Sequence, residues 1–235
     1  MNTPVNSNSS CSEVDAVETK RMLQYVRSRQ GAALTVASHP GIMPIIEACR
    51  AFFDQPRQVL TFKDCECQAW GIVLIDPDQI NREYARLRKA LDEREEQDSI
   101  HRVSDPTSVV WFAVAHEFAH CLQSTETSWH SMKADRIPHE IGADFLAGVC
   151  IGWNAVDFDV NFLNDIDFAF QIGCYKSDAY PEPHQRRLAL SSGVSQGAKA
   201  FQACDGDLSK VDRALLLARS RELVDVVQTN TARKK

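Results

Sequence analysis

The chain has no run of 18 or so uninterrupted apolar residues, so by hydropathy it holds no membrane-spanning helix. Its first residues lack a basic stretch followed by an apolar one, so no secretory signal is read and a cytoplasmic setting is expected. Positive charge is not in excess. There are 26 Lys and Arg against 32 Asp and Glu, and the net charge of −6 argues against nucleic acid or an anionic membrane as the main partner. The eight cysteines include no C-x-x-C pair; Cys65-Glu66-Cys67 is too closely spaced for the usual zinc or redox motif. Thiols are therefore expected, with Cys49, Cys150 and Cys174 as small core residues. No internal repeat is visible, and the Asp- and Asn-rich stretch 154–167 lacks the ligand spacing of an EF-hand and reads as loop.

What is present suits one enzyme-sized domain. The 235 residues are 44% hydrophobic, ample for a single core. Residues 1–12 are rich in Asn and Ser and are expected to be a disordered tail, residues 13–228 one domain, and residues 229–235 a frayed end. Helical spacing is read over Glu13 to Gln30, Pro40 to Phe53, Pro77 to Gln97, Glu182 to Ser192 and Asp207 to Val227. Gln58 to Phe62 and Cys67 to Ile75 are rich in Val, Ile, Leu and aromatics and read as strands. The expected class is α+β: a mostly helical single domain with a small sheet.

The chemistry concentrates in His116-Glu117-Phe118-Ala119-His120, set in the apolar run Val109 to Ala115. Asp105-Pro106-Thr107 before it reads as an N-cap with proline at the first helical position. Histidines four apart lie on one helix face about 6 Å apart along its axis, so both imidazoles can reach one ion. Glu117 is rotated about 100° from His116 and is better placed to take a proton from a water on the metal than to bind the metal. A core helix whose histidines merely bond to backbone is the plain alternative.

A catalytic zinc site takes three protein ligands and keeps one position for water, so a third ligand is expected elsewhere in the chain. Pro138 to Gly148 reads as a second helix, with Glu140, Ala143, Asp144, Ala147 and Gly148 on one stripe. Its small residues would let this helix press against the first, bringing Glu140 to the ion and Asp144 to the free N–H of a ligand histidine. His130 and His139 are rival ligands without that supporting stripe.

The pairing of His116-Glu117-x-x-His120 with Glu140-x-x-Ala143-Asp144 resembles the signature of gluzincin metallopeptidases, especially the minigluzincins, the neutral zinc metallopeptidases of bacteria and the HtpX-like catalytic domain. The resemblance covers about residues 105–190. It implies a zincin-like active-site helix, one Zn2+ held by His116, His120 and Glu140, Glu117 as general base and Asp144 behind a ligand. Tyr180-Pro181 to Gln185-Arg186 is similar to a later family element in which histidine usually stands where Tyr180 is. Tyr180 or His184 is then expected to donate to the oxyanion, and Arg186 to serve either substrate or structure. In those families a strand before the first ligand helix pairs with extended substrate, which points to Trp70 and Gly71 within residues 69–75. The expected function is a zinc endopeptidase acting on an intracellular protein or peptide substrate. The alternative is a catalytically silent, metal-stabilised binding or regulatory module.

Overall fold

A helix that is apolar on all sides belongs at the centre of a domain, and residues 140–153 are of that kind. The computed structural model of the chain describes residues 42–54, 58–61, 66–68, 72–75, 85–86, 89, 107–125, 136–154, 162–171 and 181–232. We name its helices α1 (Met43–Phe53), α2 (Thr107–Gln123), α3 (Arg136–Asn154), α4 (Phe162–Gln171), α5 (Pro183–Ala203) and α6 (Arg213–Ala232). Every residue of α3 from Glu140 to Trp153 is buried. The other helices pack around it: α2 and α5 make its broadest contacts, and α1 and α6 complete the enclosure.

Each outer helix offers α3 one apolar stripe. In α1 it is Ile45, Ile46, Cys49, Phe52 and Phe53. In α6 it is Leu216, Leu217, Val224 and Val227, with Ser220 among them donating from Oγ to the Gly142 carbonyl at 3.1 Å. Aromatic rings join the helices: Phe53 stacks on Phe118 of α2 at 6.2 Å between centroids, and Trp153 meets Phe52 and Phe201 edge-on or tilted.

The expected α+β class is corrected. The part of the chain whose side-chain packing is described is 89% helical and contains no strand, so the described residues form a single helical domain. Backbone pairing does link three segments of three or four residues, β1 (Gln58–Thr61), β2 (Glu66–Gln68) and β3 (Ile72–Ile75). A sheet defines a fold class when one face forms a layer of the core. Here the described core residues all come from helices or the turns beside them. The order of the pairing, β1-β3-β2, also places β3 in the middle: β1 pairs with it in parallel and β2 antiparallel. Over Ile72–Leu74 both backbone edges are therefore taken. The expectation that residues 69–75 pair with an extended substrate is overturned for that part, because strand addition needs an open edge.

Other boundaries shift for identifiable reasons. The stretch read as loop over 154–167 contains the start of α4 at Phe162. Helix α5 runs to Ala203, well past Ser192, through Ser191, Ser192, Gly193, Ser195 and Gly197. Those residues are poor helix formers, and packing against α3 overrides their propensity. Helix α6 continues to Ala232, into the segment expected to fray. The expected helix over Glu13 to Gln30, the tail before it and the Asp105-Pro106 cap lie outside the described residues, as does nearly all of Pro77 to Gln97.

Candidate metal centre

Helix α2 buries Phe112, Ala115, Phe118, Ala119 and Leu122, and the same winding brings His116 and His120 to the side that faces α3. Glu140 stands in the first turns of α3, 24 residues beyond His116 in sequence. The three side chains converge. His116 Nε2 lies 3.1 Å from Glu140 Oε2, His120 Nε2 lies 3.0 Å from His116 Nε2, and His120 Nε2 lies 3.7 Å from Glu140 Oε2. Bonds of about 2.0–2.2 Å to a tetrahedral zinc would separate neighbouring donor atoms by roughly 3.3–3.6 Å. The observed triangle approximates one face of such a tetrahedron, each side within about 0.3 Å of that range, with a mixed nitrogen and oxygen donor set that suits the ion. The three residues can thus hold a metal ion.

Each member of the triangle is held from behind. Asp144 Oδ1 sits 3.0 Å from His116 Nδ1, which leaves Nε2 facing the cluster. Arg186 grips Asp144 in two places: its Nε donates to Oδ2 at 2.8 Å and its Nη2 to Oδ1 at 2.7 Å. That pair is almost fully enclosed, with Arg186 at 2% exposure and Asp144 at 0%. The guanidinium also lies over the Phe170 ring at 4.6 Å and near Phe112 at 5.6 Å. Local sequence explains how Arg186 gets there. The Glu182 backbone N–H donates to Gln185 Oε1 at 2.9 Å, Pro183 opens the helix, and the capped first turn of α5 aims the next side chain at α3. Of the substrate and structural roles weighed for Arg186, the structural one is what its geometry shows.

Two supporting residues went unread in the sequence. Gln123 Oε1 lies 2.9 Å from His120 Nδ1, and Arg136 Nε donates to Glu140 Oε1 at 3.1 Å. The spacings that reveal them are i+3 from His120 and i−4 from Glu140, both within reach along a helix face.

The electrostatics favour a cation. Burial alone would lower the His116 pKa, but hydrogen bonds to Asp144 and Glu140 outweigh it and raise it from 6.5 to about 10. Burial pushes the Glu140 carboxyl up, yet hydrogen bonds from His116 and His120 hold it well below the usual carboxylate range. For Asp144 burial again opposes ionisation, and the Arg186 guanidinium overcomes it. Two ionised carboxylates beside two imidazoles make a place where positive charge is stabilised, whether carried by a proton or a divalent ion.

Glu117 adjoins the first histidine on α2 and is half-buried, with its Oε2 shielded from solvent. His139 does not join the cluster; its ring stacks on that of His120 at 4.8 Å and 7°. His184 is exposed, about 200° around α5 from Arg186, so the face of α5 that reaches Asp144 carries the arginine. Tyr180, Trp70, Gly71 and His130 lie outside the described residues.

One end of the small-residue stripe has a different partner from the one expected. Gly148 meets the Leu190 carbonyl and Val194 of α5, not α2, and Gly193 meets the Phe145 carbonyl from the other side. Close approach of α3 therefore serves the helix that delivers Arg186. Glu140 reaches the cluster from where α3 and α2 are in contact. In comparison with known proteins, no family model, no curated protein and no solved structure matches the chain.

Proposed function

We propose that the chain is a zinc-dependent endopeptidase of the gluzincin type, working on an intracellular protein or peptide. The observation that carries this reading is the convergence of His116 Nε2, His120 Nε2 and Glu140 Oε2 on one point, with Glu117 next to His116 in sequence on the same helix. His116, His120 and Glu140 would hold one Zn2+ per chain. Bound zinc supplies Lewis acidity and lowers the pKa of water at its open position. Glu117, a carboxylate next to the ligands and not among them, is suited to accept a proton from water and return it to a departing amine. Asp144 and Arg186 orient His116 from behind, and burial keeps bulk water from that side. A silent binding module would have no chemical need for a carboxylate at position 117. No helix among the described residues is long and apolar enough to cross a membrane.

The test is purified protein analysed for metal and for cleavage of an unfolded protein substrate. One zinc per chain is expected, removed by His116→Ala or His120→Ala. Glu117→Gln should retain zinc and fold while losing turnover by about 10²–10⁴. Cleavage undiminished in Glu117→Gln would reject the general base, and metal-free protein with both histidines intact would reject the whole reading.

A further inference from the structure

His116 has a carboxylate behind it, as zinc-bound histidines commonly do, but among the described residues His120 does not. Behind His120 stands an amide, and the direction of that amide is forced. The His139 carbonyl can only accept a hydrogen bond, so Gln123 must turn its Nε2 toward it, and does so at 3.0 Å. Its Oε1 then faces His120 Nδ1 at 2.9 Å and can only accept. His120 Nδ1 must carry the proton, which leaves the Nε2 lone pair pointing into the cluster. Gln123 is fully buried, so no solvent contact competes with this chain of bonds. The carbonyl at its far end belongs to the residue just before Glu140.

We infer that Gln123 is a positioning residue for metal ligation, setting the His120 tautomer and tying that ligand to the helix that carries Glu140. The inference rests on the zinc reading above. An apolar side chain of the same size at 123 would leave His120 free to exchange tautomers and to swing about its Cβ–Cγ bond, and each alternative withdraws the lone pair from the ion.

Two measurements test it. Nitrogen-15 NMR of the metal-free wild-type chain reads the His120 ring directly; the Nδ1–H tautomer is expected, and the Nε2–H tautomer overturns the inference. Zinc affinity by chelator competition should fall about 10–100-fold in Gln123→Leu, the usual effect of losing such a partner. Wild-type affinity in Gln123→Leu, even with a lowered melting temperature, means that Gln123 only packs and overturns the assignment. If Gln123→Leu does not fold, the wild-type tautomer decides. If the wild-type chain binds no zinc, the function proposed above fails, and the NMR result still stands or falls by itself.

Discussion

Glu140 and Asp144 are both carboxylates of α3, one turn apart and both buried, yet they hold different places in the network. Glu140 faces the imidazole nitrogens of the triangle, whereas Asp144 is shared between His116 and the guanidinium of Arg186. The two neutralising substitutions should therefore separate. Glu140→Gln removes a donor from the triangle and should weaken zinc binding by more than 100-fold, with a modest effect on folding of the metal-free chain. Asp144→Asn should weaken zinc binding only about 10–100-fold. It strands the Arg186 charge in the core, at a cost of about 3–5 kcal/mol. Chelator competition and urea unfolding measure the two effects, and the same rank order in both assays would reverse these assignments. The sequence motif names both residues, but which one meets the triangle and which the buried Arg186 is settled by the helix-to-helix geometry.

At the level of elements, the joint between α3 and α5 decides whether Arg186 can arrive at all. Gly148 and Gly152 on α3 interlock with Gly193 and Gly197 on α5, each spaced by four, so each glycine faces the backbone of the other helix. A methyl group at Gly193 would run into the Phe145 carbonyl oxygen, and backbone cannot rotate away as a side chain tip can. Gly193→Ala should cost roughly 1–3 kcal/mol, or more if the helices cannot separate. Moving α5 outward would also lengthen the Arg186–Asp144 contacts, so zinc affinity should fall together with the melting temperature. An exposed control on the same helix, Ser191→Ala, should leave both unchanged, and a stable Gly193→Ala would mean that the joint has slack. In sequence these glycines read as helix-weakening residues near an expected end at Ser192. They stay helical because close packing outweighs a propensity cost of about 1 kcal/mol each.

Across the whole molecule, the triangle bridges α2 and α3, so ligand binding and folding are linked. Zinc at a thousand times its dissociation constant would stabilise the chain by about 4 kcal/mol, and a strong chelator should lower the melting temperature accordingly. The metal-free chain should also show two pH limits. The pKa of His116 is raised from 6.5 to about 10, so its contribution is complete below pH 6.5 and is lost as pH rises through about 10. The Asp144 carboxyl is depressed, so its contribution is complete above its ordinary value and is lost as pH falls below it. Melting temperatures recorded with chelator from roughly pH 3 to 10 should fall at both ends, and a flat alkaline limb would remove the charge assigned to His116.

The sequence by itself determined what depends on neighbours along the chain. A four-residue spacing puts His116 and His120 on one helix face, and a helical stripe puts Glu140 and Asp144 one turn apart, because helix geometry is local and repeats every 3.6 residues. The apolar runs of α2 and α3 announced buried helices for the same reason. Tertiary structure alone decided the class of the fold, the partner of the small-residue stripe, the middle position of β3 and the roles of Arg186, Gln123 and Arg136. Each of these depends on which surfaces meet in space. A glycine stripe fits whichever backbone comes closest, and a buried arginine takes its meaning from the carboxylate it reaches, 42 residues away in sequence.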